Sequence, residues 1–268
     1  MHAIVFLKHS AAGDEELRFA LRGIADNCPF IEKVWIFGDR PLWLSNNTRL
    51  IEHVPHLLVA RIGSFKLPVT NGFLLTWLSS LIPELSSEYL LFSDDQIVLQ
   101  PLADADARAM RYLEDMSQVK NRGQGLWLDS LWRTYDTLKR LGLPGYNFET
   151  HCPTFYTKRR VLEAYCNLKD YVTEDRWYGL LAHTAILNHA LVRERCPLVH
   201  LATEGKHVGF HYRAFQYEDI STACAGKTFL NFDDIAFDDN MRHYLRERFP
   251  EPCKYERGGS SVIATKAG

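Results

Sequence analysis

Short apolar segments alternate with helical segments through the first hundred residues, and this order limits the folds open to the chain. Strand-like segments at 3–7, 33–37 and 49–54 are interrupted by a helical segment at 14–28, for which Asp14 is the expected N-cap. In that segment apolar residues recur at the spacing of one helix face. The alternation is typical of a mainly parallel sheet covered by helices. We therefore predict an α/β fold.

A continuous apolar run, Tyr89-Leu90-Leu91-Phe92, ends abruptly at the polar residues Ser93, Asp94 and Asp95. A run without alternation is typical of a central strand buried on both faces. Open α/β sheets bind ligands at the carboxyl ends of their strands, where the loops diverge. Adjacent carboxylates are costly to bury there unless a cation is bound, and oxygen ligands suit Mg²⁺ or Mn²⁺. The run predicts a metal site, with a solvated turn or helix N-cap as the alternative.

The second half of the sequence is less regular. Its patterning predicts helices at 104–116, 130–141, 175–191 and 239–249, and an extended segment at 146–156. We expect one catalytic domain over residues 1–257 and a disordered tail at 258–268, which begins Gly-Gly-Ser-Ser.

Composition and missing motifs exclude several classes of protein. A net charge of -2 over 268 residues provides no overall field for nucleic acid or an anionic membrane. Walker, dinucleotide-binding, zinc-protease and Gly-x-Ser-x-Gly motifs are absent from the sequence. The short apolar run at 3–7 is too brief for a signal peptide, and the six cysteines form no Cys-x-x-Cys pair. We expect reduced thiols and a cytoplasmic protein, in a bacterium or a phage-infected host cell.

Three histidines are candidates for proton transfer. His151 follows the extended segment, and its titration range suits a general base or a metal ligand. His207 and His211 offer the same chemistry. For each of them the alternative is a structural histidine whose hydrogen bonds are satisfied inside the protein.

Basic and amide side chains offer possible phosphate contacts. Arg18 and Arg22 are four residues apart on the first helix, so both can hold phosphate oxygens or both can belong to a solvated face. Lys66 and Asn71 precede a predicted helix, whose N-terminus would favour an anion. Exposed loop residues are the alternative for this pair.

Several motifs, taken in order, resemble the Stealth-type sugar-phosphate transferases and the small phage-type glycosyltransferases that share their core. The resemblance to the second signature region of that family lies at 14–24, 34–39, 41–44 and 67–72, and it ends at Ser93-Asp94-Asp95. The third region is similar at His151-Cys152-Pro153 and at 174–176, and the fourth at 229–234 and 249–256. The resemblance spans residues 14–256.

This resemblance implies a GT-A-like (Rossmann-like) fold with a mixed, mainly parallel sheet, flanking helices and an irregular helical C-terminal half. It also implies a nucleotide-sugar donor, with a UDP-sugar as the first candidate, and Mn²⁺ or Mg²⁺ as cofactor. Carried over by position, the catalytic residues would be His151, Asp95 and Asp233, and the metal ligands Asp95, Asp94 and Asp234. The donor contacts would be Arg18, Arg22, Asp39, Lys66, Asn71 and Asp94.

The first region of the family is not recognisable at 6–10, which favours glycosyl transfer to an acceptor hydroxyl over sugar-1-phosphate transfer. A glycan or a modified base of phage DNA could accept the sugar. For DNA, the local basic groups are 158–160 and the arginines at 242, 246 and 248. A non-catalytic protein that binds sugar nucleotides is a further alternative.

Overall fold

The computed structural model describes residues 1–259, so the part of the predicted tail at 260–268 lies outside the described residues. The strands are β1 (His2–Leu7), β2 (Lys33–Gly38), β3 (Ile51–Val54), β4 (Glu88–Ser93), β5 (Gln96–Val98), β6 (Met110–Tyr112), β7 (Thr154–Thr157), β8 (Leu198–His200), β9 (His207–Phe210) and β10 (Phe229–Phe232). The helices are α1 (Glu15–Asn27), α2 (His56–Gly63), α3 (Gly72–Ser80), α4 (Asp104–Ala107), α5 (Leu126–Arg140), α6 (Lys158–Leu168), α7 (Ala182–Leu191), α8 (Leu201–Glu204), α9 (Tyr217–Cys224) and α10 (Asp239–Arg248).

The main sheet has the strand order β3-β2-β1-β4-β7. Its first four strands are parallel, and β7 runs antiparallel to β4. β4 carries the apolar run predicted as a central strand, and it is buried between β1 and β7. Successive β1 residues contribute to two different hydrophobic clusters, because strand side chains alternate between faces. The predicted mixed, mainly parallel sheet flanked by helices is confirmed.

A second sheet, with the order β5-β10-β9, lies beyond the end of β4. β10 is antiparallel to β5 and parallel to β9. Apolar side chains of this second sheet form a third hydrophobic cluster with α9 and α10. β6 and β8 form a separate parallel pair.

Helix α1 packs against both sheets. Leu17 and Leu21 belong to the cluster that covers one face of the main sheet, and Phe19 belongs to the cluster of the second sheet. The helix lies very close to β5 at Gly23, where a Cβ atom would be 2.9 Å from the carbonyl oxygen of Val98. A glycine is therefore needed at this contact.

The two arginines of α1 hold the C-terminal segment, which is a different role from the predicted donor contact. Arg22 is buried; its Nε lies 2.6 Å from Glu256 Oε1, and its guanidinium also donates to the Phe249 carbonyl at 2.8 Å. Arg18 donates to Glu256 Oε2 at 2.9 Å. Burial opposes the ionisation of Glu256, but hydrogen bonds from Arg22 and from the Cys253 N–H outweigh it and lower its pKa. As their i, i+4 spacing predicts, Arg18 and Arg22 lie on one side of α1, where both contact the carboxylate of Glu256.

The second half differs from its sequence-based prediction in several places. The single helix predicted at 104–116 is wrong: α4 ends at Ala107, and Met110–Tyr112 is a strand because it pairs with β8. The helix predicted from 175 begins at Ala182, and the extended segment at 146–156 becomes a strand only from Thr154. Over the described part of the chain, no helix combines the length and apolarity needed to cross a membrane.

We expect Arg22→Ala to lower the free energy of unfolding by about 3–5 kcal/mol, because it leaves the buried Glu256 carboxylate with the half-buried Arg18 as its one charged partner. Arg18→Ala is the matched control. Its side chain is 34% exposed, so its loss should cost about 1 kcal/mol or less. Urea denaturation monitored by circular dichroism measures both, and equal losses would contradict the assignment of Arg22 as the main partner.

Candidate active site

The run Ser93-Asp94-Asp95 forms the turn between β4 and β5. Ser93 pairs with Phe6 of the parallel strand β1, so the segment after β1 lies beside the turn. On the other side, Gln96 pairs with Asn231 near the end of β10. The turn therefore lies where the carboxyl ends of strands from both sheets meet, as expected for a ligand site.

Six carboxylates form an acidic cluster at this turn: Asp14, Glu16, Asp94, Asp95, Asp233 and Asp234. Burial, followed by the charge of Asp95, raises the pKa of Asp94 to about 7. The pKa of Asp95 is also raised to about 7, mainly by burial. The negative charges of Asp234, Glu16 and Asp233 act in the same direction. Both residues are half-buried. The site has a deficit of positive charge.

The loop before α1 supplies Asp14 to the acidic cluster, and the first turn of α1 supplies Glu16. The Ser10 N–H donates to Asp14 Oδ1 at 2.9 Å, and the Ser10 hydroxyl donates to Glu16 Oε2 at 3.0 Å. The other oxygen of Asp14 lies 2.7 Å from His9 Nδ1. Asp14 has the left-handed φ of 61° and makes no side-chain cap, so its predicted capping role is wrong. Glu16 was not recognised from the sequence, where it resembles any acidic residue of a first helical turn.

The composition of the acidic cluster fits a divalent cation. Its donors are hard oxygens, and two neighbouring carboxylates with raised pKa values need an opposing charge. Within residues 1–259, no three or more His, Cys, Asp or Glu side chains are arranged as a ready metal site. Mg²⁺ in nucleotide sites commonly uses one or two carboxylates together with phosphate oxygens. The residues therefore fit a cation that a bound diphosphate helps to hold.

His151 lies among three further histidines, and one of them, His211, is close enough to Asp233 of the acidic cluster to lower its pKa. His151 has a left-handed φ of 53°, and its ring centroid is 5.7 Å from that of His211. Burial, and then His211, His183 and His207, lower the pKa of His151, although Glu149 opposes them. At neutral pH the imidazole is therefore uncharged and able to accept a proton.

Asn231 connects two of these histidines. Its Oδ1 lies 2.8 Å from His207 Nε2, and its Nδ2 lies 3.2 Å from His211 Nε2. The amide is fully buried and connects both rings by hydrogen bonds. Burial lowers the pKa of His207, although the hydrogen bond with Asn231 opposes this effect. A Cβ at Gly209 would lie 2.9 Å from Asn231 Oδ1 and 2.9 Å from His211 Nε2, so only glycine leaves room for this contact. Sequence reasoning did not single out Asn231.

Asp233 and Asp234 follow β10 and have different surroundings. The carboxylate of Asp233 accepts the N–H groups of Tyr212 at 2.7 Å, Ala236 at 2.9 Å and Ile235 at 3.1 Å. Burial acts to raise its pKa, but these hydrogen bonds and a nearby histidine lower it. Asp233, predicted as catalytic, thus organises the loop backbone. Asp234 is exposed, and its charge raises the pKa of Asp95.

The remaining predicted donor contacts are spread along the edge of the main sheet. Asp39 follows β2, and its Oδ2 accepts the His9 N–H at 2.8 Å, which ties the ends of β1 and β2 together. Lys66 is exposed in the loop before α3. Asn71 is buried and accepts the Leu74 N–H at 3.1 Å, so it caps α3. Asp39 is thus the member of this set that lies at the carboxyl edge.

No protein-family model and no curated protein matches the sequence. Similar solved structures include the galactosyltransferase LgtC in complex with donor and acceptor sugar analogs, at 11% identity and a TM-score of 0.49 over 93% of this chain and 95% of that one. Mouse xyloside xylosyltransferase 1 in its apo form is similar at 10% identity and a TM-score of 0.45, over 86% and 96% of the two chains. The glycosyltransferase GlyE of Streptococcus pneumoniae TIGR4 is similar at 10% and 0.40, over 92% and 59%. Likenesses this distant establish neither an activity nor a substrate.

Asp95→Asn is expected to raise the thermal midpoint at pH 8 without added cation, because it removes a charge that the fold disfavours. The folded pKa of about 7 lies above the ordinary 3.8, so the destabilisation is complete above pH 7 and fades towards pH 4. Each kcal/mol relieved should raise the midpoint by about 2–4 °C. Scanning fluorimetry across this range measures the effect. The same rise in Asp219→Asn, an exposed position on α9, would contradict it.

Proposed function

We propose that the chain is a metal-dependent glycosyltransferase that moves a sugar from a nucleotide-sugar donor to an acceptor hydroxyl. The first candidate for the donor is a UDP-sugar. The observation that carries this proposal is the acidic cluster at the carboxyl ends of strands from two sheets, with Asp94 and Asp95 at pKa values of about 7. A diphosphate donor with its cation brings the missing positive charge. Three of the motifs that resemble the transferase family, at 14–24, Ser93-Asp94-Asp95 and 229–234, contribute residues to this cluster.

Asp94 and Asp95 would hold Mn²⁺ or Mg²⁺, with Asp234 as the third carboxylate nearby. The bound cation would stabilise the charge that develops on the leaving diphosphate. In the transfer, the acceptor oxygen forms a bond to the anomeric carbon while the bond from that carbon to the diphosphate oxygen breaks. The electron pair leaves with the diphosphate, and the neutral imidazole of His151 takes the proton of the acceptor hydroxyl.

The surroundings of His151 favour the neutral form that this step needs, because burial lowers its pKa from the ordinary 6.5. Asn231 connects His207 and His211 by hydrogen bonds, and the ring of His211 faces that of His151. Asp233 fixes the loop that carries Asp234. These are positioning roles, since each acts through another group.

The acceptor that the surface favours is a glycan hydroxyl. Several of the basic groups considered for DNA already have partners within the protein: Arg160 is buried and pairs with Glu194 at 2.8 Å. Arg242 and Arg246 both pair with Glu15, at 3.2 and 2.7 Å. A DNA backbone would have to compete with these partners. The structure therefore adds nothing in favour of a modified DNA base.

With Mn²⁺ or Mg²⁺ and a panel of nucleotide sugars, the wild-type protein is expected to release nucleoside diphosphate, as measured by chromatography. Asp95→Ala should reduce release by about 10²–10³-fold and abolish metal-dependent donor binding, because it removes a cation ligand. Circular dichroism checks that this variant is folded, and Asp219→Ala serves as control. Release of nucleoside monophosphate would indicate sugar-1-phosphate transfer instead. Binding without either product would indicate a non-catalytic protein, and unchanged metal-dependent binding in folded Asp95→Ala would refute the metal site.

His151→Asn is expected to lower kcat by about 10²–10⁴-fold with donor affinity unchanged, because it removes the base but not a donor contact. Asparagine tolerates the left-handed backbone of this position, so the loop should keep its shape. The pKa of His151 is lowered from 6.5, so the acidic limb of the wild-type pH–rate profile should lie below pH 6.5 and vanish in the variant. A variant with wild-type kcat would show that His151 is not the base.

A further inference from the structure

Two large apolar side chains are exposed beside the acidic cluster. Tyr212 is 88% exposed and Ile235 is 59% exposed. Tyr212 directly follows His211, and the centroids of the two rings are 5.9 Å apart. Single exposed apolar residues are common on protein surfaces, but these two share one anchor next to the proposed reaction centre.

That anchor is the carboxylate of Asp233. One of its oxygens accepts the Tyr212 N–H at 2.7 Å, and the other accepts the Ile235 N–H at 3.1 Å. Tyr212 has a left-handed φ of 69°, a conformation that a tyrosine adopts only when its surroundings impose it. The protein therefore holds the Tyr212 backbone in a strained conformation while leaving its ring outside the core.

The position of Tyr212 along the site indicates which substrate its ring meets. The second sheet places the ends of β9 and β10 together, so Tyr212 and Asp233 lie on the same side of the Asp94–Asp95 turn as His211. Asp39 lies on the opposite side, beyond β1, at the end of β2. Since His151 is next to His211, Tyr212 lies on the side where the acceptor is deprotonated.

We propose that Tyr212 is the acceptor platform of this protein, on which the apolar C–H face of a pyranose ring stacks, with Ile235 at its edge. The inference rests on the proposed function. A flat aromatic face next to polar side chains suits a sugar, because the ring carbons contact the π-system while the hydroxyls remain free for hydrogen bonds. The stacked sugar would present a hydroxyl towards His151.

Saturation-transfer difference NMR tests the platform with methyl glycosides of glucose, galactose, mannose and N-acetylglucosamine as probes. UDP and Mg²⁺ are present throughout. Tyr212→Gly removes the ring at a φ that glycine adopts freely, so this variant should fold. Tyr212→Phe keeps the ring, and Tyr171→Ala, at a tyrosine that is 38% exposed on another segment, is the control.

At least one glycoside should receive saturation on its ring C–H protons in the wild type and in Tyr212→Phe. Its signal should fall by about fivefold or more in Tyr212→Gly and stay unchanged in Tyr171→Ala. UDP affinity, measured by calorimetry, should be the same in all four proteins. Equal glycoside signals in the wild type and Tyr212→Gly would overturn the platform, and so would no glycoside signal in a wild type that binds UDP.

Loss of UDP affinity in Tyr212→Gly, with glycoside signals retained, would place the ring at the nucleoside and overturn the platform as well. The proposed function has a separate readout. A wild type that neither binds UDP nor releases it from any donor refutes the transferase, whereas retained UDP release with Tyr212-independent glycoside binding refutes the platform alone.

Discussion

The packing of helix α1 between the two sheets is the contact on which the site depends. Leu17 is buried against the main sheet and Phe19 against the second sheet, so one helix sets the position of both. The approach is close because Gly23 has no side chain where α1 meets the backbone of Val98. α1 begins directly after the loop that carries Asp14, so the same packing that fills the core brings its acidic first turn to the end of β4.

Among residues 1–259, buried arginines pair with carboxylates, whereas Asp94 and Asp95 take part in no ion pair. Glu256 is buried, but two arginines of α1 neutralise it, and Arg160 is buried with Glu194 as its partner. Asp94 and Asp95 have no comparable partner, since the strongest charges acting on them are further carboxylates. An uncompensated buried charge destabilises a fold unless a ligand supplies the opposite charge. The imbalance is therefore informative about the ligand as well as about stability.

The sequence was sufficient for features determined by local patterns. The alternation in the first hundred residues predicted β1, α1, β2 and β4, and the polar end of the apolar run predicted where β4 ends. It was insufficient where the partner is distant in sequence. β6 was taken for helix because its strand partner β8 lies in another part of the chain, and the carboxylate that Arg22 binds, Glu256, is 234 positions away. Asn231 was missed because its importance arises only when β9 places two histidines around it.

Backbone strain and charge repulsion coincide in this protein. Within residues 1–259, four non-glycine residues have a positive φ: Asp14, Ser64, His151 and Tyr212. Ser64 ends α2, where such a conformation is ordinary. Asp14 belongs to the acidic cluster, Tyr212 donates to its Asp233, and His151 lies next to His211. Each costs about 1–3 kcal/mol and persists only where neighbours enforce it, as Ser10 does for Asp14 and Asp233 does for Tyr212. Because a fold selected for stability alone would relax both the strain and the repulsion, their concentration at one edge supports the proposal that this edge is the functional centre.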